Sequence, residues 1–327
     1  MKILLTGATG FVGSHVLDCL RSRGLAVRLL VRETSDWRFI RPHVADVECC
    51  AGSVGDVESL RAALLGVTHV IHCAGATSAR HTADYYRVNC DGTHNVVAAI
   101  NEYRTEVQRL LHLSSLAATH PATADSPARE DDPPAPVSEY GKSKLAAEQE
   151  VRKHCQVPFT ILRPPAVYGP RDYAFRTLFK TVRRHVLPLL GGGRQTLSLI
   201  FAKDLADATV TCLMHPATKR RTYFAASPEV VTVRRLVKEI ARQMEVWTVP
   251  LWLPLPLLWP ICAVAEIASQ LTGKPTLLNR QKYAELAASG WVCDATRLGD
   301  ETGFRASTSL ADGIRQTVQW YRENRWL

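Results

Sequence analysis

The chain has 327 residues, enough for one large α/β domain or two smaller domains that share a cleft. Hydrophobic residues make up 46% and charged residues 22%, which excludes a disordered protein, a collagen-like fibre and a small disulfide-stapled domain. The 40 Lys and Arg residues against 31 Asp and Glu residues give a net charge of +9. The basic residues are scattered, which favours an anionic small molecule or membrane surface and argues against a nucleic-acid partner.

The first half alternates between strand and helix patterns. Strands are predicted at 2–6, 26–31, 69–74, 109–114 and 159–163, and helices at 11–23, 57–65, 84–103 and 138–154. Asp56 is expected to cap the second helix at its start and Gly66 to end it. Repeated βα units of this length predict an α/β fold with a doubly wound parallel sheet.

The second half is less regular. A Gly-Gly-Gly turn at Gly191–Gly193 precedes an apolar run at 197–202, and a helix is expected from Asp204. Thr232 can cap a helix that reaches Met244. Two more helices are expected within 296–326.

Nine cysteines include no CxxC pair, and no apolar leader precedes the first predicted strand. Both features favour a cytoplasmic protein with reduced thiols. His72, His81, His112 and His120 lack the spacing of metal ligands, so no metal site is expected.

A glycine-rich loop separates the first strand from the first helix. Residues 6–15 read TGATGFVGSH, which spaces Gly7, Gly10 and Gly13 as GxxGxxG. Small residues let the backbone approach a pyrophosphate, and the N–H groups at the helix start stabilise its charge. The loop predicts a dinucleotide site; the alternative is a glycine-rich turn that holds no ligand.

The end of the second strand discriminates between cofactors. An acidic residue there binds the ribose 2′-hydroxyl of NAD, whereas an arginine accommodates the 2′-phosphate of NADP. This chain has Arg32, followed by Ser35 and Arg38, while Glu33 faces the other way if the strand continues. NADP is therefore the preferred cofactor, with NAD as the alternative; Arg32 and Arg38 could also be plain solvated residues.

Tyr140 and Lys144 lie four residues apart, on one face of a predicted helix. A lysine cation near a tyrosine favours the phenolate, which predicts a lowered Tyr140 pKa suited to general acid–base catalysis. The alternative for an isolated pair of this kind is a solvated helix face.

Six segments together resemble the extended short-chain dehydrogenase/reductase family, over the whole chain. They are TGATGFVG at 6–13, HCAGAT at 72–77, VNCDGT at 88–93, LSS at 113–115, YGKSK at 140–144 and LRPPAVYGPRD at 162–172. The resemblance implies a Rossmann-like dinucleotide-binding domain over 1–165, to which part of 195–225 returns. It also implies a smaller, mostly helical substrate domain over 166–327, and a homodimer.

The same resemblance implies functional residues. Tyr140 becomes the proton donor or acceptor, Lys144 holds the nicotinamide ribose, and Ser115 bonds the reacting oxygen, with Ser114 as the rival serine. Ser53 departs from the family's usual aspartate. The implied cofactor-binding residues are Gly7, Thr9, Gly10, Phe11, Val12, Gly13, Arg32, Ser53, Val54, Cys73, Ala74, Gly75, Asn89, Tyr140, Lys144 and Pro164.

Within this family, the substrate is expected to be apolar and ring-bearing. Sugar-nucleotide enzymes of the family commonly place an arginine where this chain has Leu197. Dehydratases of the family have an Asp-Glu pair after the serine, and this chain has no such pair there. The segments GKP at 273–275 and WVCD at 291–294 resemble the 3β-hydroxysteroid dehydrogenase and dihydroflavonol-4-reductase branch. The alternatives are a sugar-nucleotide epimerase and a non-catalytic cofactor-binding sensor or scaffold.

Residues 246–265 contain one uninterrupted stretch without strong charge, VWTVPLWLPLPLLWPICAVA. Its four prolines argue against a membrane-spanning helix, and its tryptophans suit a headgroup boundary. The segment is expected to be an apolar lid or a peripheral contact with the inner face of a membrane. A buried helix pair or a dimer contact is the alternative.

Overall fold

The computed structural model describes residues 1–272 and 280–327. Its centre is a seven-stranded sheet in which every neighbouring pair is parallel. The strands are β1 (Lys2–Thr6), β2 (Ala26–Val31), β3 (Glu48–Ala51), β4 (His69–His72), β5 (Arg109–Leu113), β6 (Phe159–Arg163) and, much later, β10 (Arg221–Phe224). Their order across the sheet is β10-β6-β5-β4-β1-β2-β3. The order reverses between β1 and β4, where doubly wound sheets bind ligands.

Six further strands lie outside this sheet, counted over the described residues. They are β7 (Ala166–Tyr168), β8 (Val186–Leu190), β9 (Thr196–Phe201), β11 (Val230–Thr232), β12 (Val249–Leu253) and β13 (Gly290–Trp291). β9 pairs with β7, β11 and β13, while β8 and β12 form a separate parallel pair.

Helices cover both faces of the central sheet and build the remainder of the second half. They are α1 (Phe11–Ser22), α2 (Val57–Leu64), α3 (Thr82–Tyr86), α4 (Gly92–Glu102), α5 (Glu139–His154), α6 (Tyr173–Arg183), α7 (Ala202–Met214), α8 (Val233–Met244), α9 (Leu255–Thr272), α10 (Arg280–Ala287), α11 (Thr296–Thr302) and α12 (Leu310–Glu323). A π-turn at Arg87–Asp91 joins α3 to α4, and short 3-10 turns lie at Arg41–Asp46, Leu116–Ala118, Gly191–Gly193 and Pro216–Thr218.

The sheet separates two apolar cores. One contains Leu17 and Leu20 of α1 with Leu205 of α7, and the other contains Val96 and Ile100 of α4. A third core, in the second half, packs α6, α8 and α12 around buried aromatic side chains such as Phe179 and Tyr321. The predicted doubly wound, Rossmann-like fold is confirmed.

Local signals in the sequence set most element boundaries. The Asp56 carboxylate accepts hydrogen bonds from the N–H groups of Glu58 and Ser59, and Gly66 follows α2 with a φ of +69°. Thr232 caps α8 through the Arg235 N–H, as expected. The helix predicted over 84–103 instead starts at Thr82 and is interrupted by the π-turn.

The apolar segment 246–265 forms β12 and most of α9. Trp247, Leu251, Trp252 and Trp259 are at least half exposed, so the alternative of a buried helix pair is wrong. Among the described residues, no helix has the length and hydropathy needed to cross a bilayer. The GKP segment at 273–275 lies outside the described residues.

Candidate active site

The turn between β1 and α1 is packed so tightly that only glycine fits at two positions. Gly7 has a φ of +75°, and a Cβ there would lie 2.6 Å from the Ala74 nitrogen. A Cβ on Gly13 would overlap the Gly7 carbonyl oxygen. Gly10 is exposed as the N-cap of α1 and brings no capping side chain. The first N–H groups of α1, on Phe11, Val12 and Gly13, therefore remain for a ligand, and this loop fits the pyrophosphate of a dinucleotide.

Arg32 follows β2, and Ser53 and Val54 follow the neighbouring parallel strand β3, so all three lie at the carboxyl edge of the sheet. Arg32 is exposed one residue after β2 and, among the described residues, has no carboxylate within 4.0 Å. Arg38, by contrast, pairs with Asp36 at 2.5 Å and donates to the Tyr173 hydroxyl at 2.8 Å.

Ser53 lies in a small network at the start of α2. Its hydroxyl accepts the Gly55 N–H at 3.2 Å, and its N–H donates to the Ser59 hydroxyl at 3.2 Å. The Val54 carbonyl accepts from the Asn95 side chain at 3.0 Å. These bonds fix the backbone of both residues at the end of β3, where the adenosine half of a dinucleotide is expected.

Asn89, in the π-turn, clamps the loop that follows β4. Its Nδ2 donates to the Ala76 carbonyl at 3.0 Å and to the Ser143 hydroxyl at 2.9 Å, and its Oδ1 accepts the Ala76 N–H at 2.8 Å. A Cβ on Gly75 would lie 3.1 Å from the Asn89 Oδ1 and 3.8 Å from the Lys144 Nζ. The clamp therefore holds a narrow backbone passage beside Lys144.

Helix α5 presents Tyr140 and Lys144 one turn apart. Ser138 caps the helix by accepting the Gly141 N–H at 3.1 Å. The Ser115 side chain, two residues after β5, lies near enough to Tyr140 to influence the pKa of its hydroxyl. The Ser115 Oγ accepts the Ala117 N–H at 3.1 Å. The hydroxyl proton of Ser115 can therefore be donated to a different acceptor. Ser115, Tyr140 and Lys144 thus meet at the carboxyl edge of the sheet.

Ser114 is engaged by a residue one turn further along α5 than Lys144. Its hydroxyl donates to Glu148 at 2.6 Å, and Glu148 forms a bidentate ion pair with Arg163 at 2.6 and 2.8 Å. All three side chains are buried. The geometry therefore separates the two serines, with Ser115 toward Tyr140 and Ser114 in a structural network.

The electrostatics at Tyr140 differ from the expectation drawn from the sequence. Burial raises the pKa of Tyr140 to about 12, although the nearby Ser115 side chain opposes the shift. Burial lowers the pKa of Lys144 to about 8, and its ammonium donates to the Leu113 carbonyl at 2.7 Å. The predicted lowering of the Tyr140 pKa by Lys144 is therefore wrong for this structure, because desolvation dominates and the lysine is bound to the backbone.

Three further predicted residues remain: Pro164, Cys73 and Thr9. The Pro164 carbonyl accepts the Leu116 N–H at 2.8 Å, which holds the segment after Ser115 beside β6. Cys73 directly precedes the Ala74–Gly75 loop, and burial raises the pKa of its thiol. Thr9, the last of the predicted set, lies partly buried in the glycine loop.

Three groups around the site were not identified from the sequence. His72 bonds the hydroxyls of Thr6 at 2.8 Å and Thr93 at 3.0 Å, and its ring lies 5.3 Å from that of buried His112. Burial lowers the pKa of His72 to about 3 and that of His112 well below its usual value, so both are neutral. His72 on β4 lies opposite His112 on β5, which the sequence does not reveal because it does not specify which strands pair.

Glu285, the third group, comes from α10 in the second half of the chain. Its charge raises the pKa values of Tyr85 and Tyr140, whose rings lie 6.1 Å apart. The charge of Glu285 on α10 therefore acts on both phenols at the site. Among the described residues, no cluster of His, Cys, Asp or Glu could hold a metal ion.

Comparisons with known proteins show which sequences this chain resembles. The sequence model of the NAD dependent epimerase/dehydratase family matches residues 3–226. A ceramide reductase of Caulobacter vibrioides is 30% identical over 326 residues, covering 99% of this chain and 96% of that protein. A UDP-glucose 4-epimerase of Vibrio cholerae is 28% identical over 339 residues, covering 97% and 94%.

A solved structure extends the comparison to the whole fold. The dTDP-glucose 4,6-dehydratase DesIV of Streptomyces venezuelae, with NAD and TYD bound, matches with a TM-score of 0.82 at 21% identity. The match covers 99% of this chain and 98% of that one.

The glycine loop at the switch point of a parallel sheet, beside a Ser-Tyr-Lys cluster, defines a dinucleotide-dependent oxidoreductase. This chain belongs to the NAD dependent epimerase/dehydratase family. It is an enzyme of the extended short-chain dehydrogenase/reductase type, as the resemblance in the sequence implied.

Proposed function

We propose that this protein interconverts a secondary alcohol and a ketone on an apolar, ring-bearing substrate, with NADP(H) preferred over NAD(H). The observation that carries the proposal is the meeting of Ser115, Tyr140 and Lys144 next to the Asn89 clamp. Steroid-, isoprenoid- and flavonoid-like ketones are the substrate classes to test first.

When bound, the nicotinamide ring supplies the hydride in reduction and accepts it in oxidation. Tyr140 is protonated at neutral pH, because its pKa is about 12, and donates its proton to the ketone oxygen. Ser115 polarises the same oxygen through its hydroxyl. Lys144 carries a positive charge below pH 8 and stabilises the phenolate that Tyr140 leaves behind.

The chain's own residues support the reductase over the sugar-nucleotide epimerase. Leu197 lies in β9 at the position where the epimerase branch commonly has an arginine for the nucleotide pyrophosphate. Loss of a charge-assisted bond of this kind costs about 1.5–3 kcal/mol. The full-length similarity to a ceramide reductase supports an apolar substrate, whereas the similarity to a UDP-glucose 4-epimerase keeps the epimerase as the second candidate.

We also propose the organisation expected from the sequence. A dinucleotide-binding domain comprises residues 1–165, with part of 195–225, and a substrate domain comprises most of 166–327. The strand β10 supports this division, since it pairs with β6 in the central sheet. The proposed working state is a cytoplasmic homodimer.

The decisive experiment replaces Tyr140. We expect Tyr140→Phe to lower kcat/KM for NADPH-dependent ketone reduction by about 10²- to 10⁴-fold, because the proton donor is lost. Affinity for NADPH, measured by fluorescence titration, should stay close to that of the unmodified protein. Tyr86→Phe is the matched control, since Tyr86 is a neighbouring phenol that bonds Glu139 at 3.1 Å.

Two results would redirect the assignment. Conversion of UDP-glucose to its epimer without net NADPH consumption would establish the epimerase. Unchanged cellular function with Tyr140→Phe would favour the non-catalytic sensor or scaffold.

A further inference from the structure

The second half of the chain carries an exposed apolar surface built by β12 and α9. Helix α9 buries Leu258 and Cys262, while Leu257, Ile261 and Val264, at i, i+4 and i+7, are 42–66% exposed. Its apolar stripe therefore faces outward, opposite to the rule for a helix on a globular core. The segment that leads into α9 and the remainder of α9 carry further exposed tryptophan, leucine, valine and isoleucine side chains. Together with the stripe, these residues are what we call the apolar face: Trp247, Val249, Leu251, Trp252, Leu257, Trp259, Ile261, Val264 and Ile267.

A basic cavity adjoins the apolar face. It has a volume of about 430 Å³ and lies between the Gly191–Gly193 turn, Thr232, Arg194 and Arg234, with Trp252 on its rim. The Arg234 guanidinium sits 5.9 Å from the centre of the Trp252 ring.

The two arginines of this cavity are available to an anion. Both are exposed, and neither has a carboxylate within 4.0 Å among the described residues. Their neighbours on α8 differ, since Arg235 pairs with Glu229 and Arg242 pairs with Glu239. Gly191, Gly192 and Gly193 all have positive φ angles, so a residue with a side chain would strain the backbone of this turn.

We propose that the apolar face and the basic cavity dock this enzyme onto a bilayer that contains anionic phospholipids. Tryptophan and aliphatic side chains enter the headgroup boundary, where amphipathic rings are favoured. Arg194 and Arg234 bind lipid phosphate beside these side chains. A single partner, the anionic bilayer, therefore provides both the apolar and the charged contacts. Contact stays peripheral, since Pro256 and Pro260 disfavour a continuous membrane-spanning helix in this segment. No helix among the described residues has the length and hydropathy to span the membrane.

The docked surface lies close to the catalytic site. Helix α9 packs against α10, and α10 places Glu285 near Tyr85 and Tyr140. Docking through α9 would thus bring α10, which carries Glu285, close to the lipid surface. The inference rests on the exposed surface alone and holds whichever reaction the site performs.

Vesicle flotation with the full chain tests the proposal. We expect the protein to float with phosphatidylcholine vesicles that contain phosphatidylglycerol, and binding to weaken with added salt. Arg194→Ala/Arg234→Ala should weaken binding by roughly fivefold for each removed charge. Arg104→Ala/Arg315→Ala is the control, since it removes two exposed arginines from other helices or turns.

The apolar contribution has its own pair of variants. Leu257→Glu/Val264→Glu should reduce the bound fraction to background, because two charges enter the apolar stripe. Leu65→Glu/Met214→Glu, which changes two exposed apolar residues at the ends of α2 and α7, should bind like the unmodified protein. Equal melting temperatures and equal NADPH affinity show that all variants fold.

Three outcomes would overturn the proposal. They are a failure of the unmodified protein to bind the vesicles that contain phosphatidylglycerol, equal binding by the face variants and their controls, and a dimer that Leu257→Glu/Val264→Glu dissociates without any vesicle binding. The last result would assign the apolar face to a second copy of the chain.

Discussion

Lys144 is a cation held almost entirely out of water, bonded to one backbone carbonyl. Its pKa is lowered to about 8, against about 10.4 for lysine in an unfolded chain. The unfolded state therefore binds more protons between these values, and the free energy of unfolding rises with pH across the window.

The titration of Lys144 predicts that the free energy of unfolding depends on pH differently in the unmodified protein and in Lys144→Met. From pH 7.5 to pH 10, the free energy of unfolding of the unmodified protein should rise relative to Lys144→Met by about 2–3 kcal/mol. Urea titrations at both pH values measure it, and Lys142→Met, at an exposed lysine of the same helix, is the control. A difference that does not change with pH would contradict the shift.

Arg32 is the residue on which the cofactor preference depends. It has no carboxylate partner among the described residues, whereas Arg38 is already engaged by Asp36 and Tyr173. Arg32→Ala should weaken NADPH binding by about 10- to 100-fold, the worth of a charge-assisted bond. NADH binding should hardly change, and exposed Arg41→Ala should alter neither affinity. Equal affinities of the unmodified protein for both cofactors would refute the preference.

At the scale of elements, the turn from β1 to α1 depends on contacts that only a glycine permits. A Cβ on Gly13 would overlap the Gly7 carbonyl, and the Gly7 backbone cannot retreat, because it lies against Ala74. Gly13→Ala should therefore destabilise the protein by about 1–3 kcal/mol, the usual cost of overpacking.

Calorimetry and cofactor titration can check this. Gly13→Ala should also lose most of its dinucleotide affinity, since the first N–H groups of α1 would move. Gly55→Ala is the control, because a Cβ there meets nothing closer than 3.6 Å and its change should stay within about 0.5 kcal/mol. A stable Gly13→Ala variant with unchanged NADPH binding would disprove the argument.

Some elements could be predicted and others could not, for identifiable reasons. The ends of α2 and α8 were predictable because Asp56 and Thr232 supply caps within the local sequence. The π-turn was not predictable from the sequence. Asn89 in this turn forms hydrogen bonds with Ala76 and Ser143, which are remote from it in the chain. Local periodicity carries no record of such contacts.

For the whole molecule, the parallel sheet followed from the alternation of strand and helix patterns, whereas the charge state of the site did not. Spacing predicted that Tyr140 and Lys144 share a helix face, but the pKa of Tyr140 depends on burial that is known only after packing. The apolar segment shows the same limit: composition revealed its hydrophobicity, and only the fold revealed that β12 and α9 leave it exposed.

Strand β6 ends at Arg163, but its outer neighbour β10 starts only at Arg221. While the ribosome is synthesising the chain between them, the outer backbone edge of β6 has no strand to pair with. Nascent chains are open to edge-to-edge association during that interval. Expression of residues 1–165 alone would leave that edge open permanently and favour aggregation.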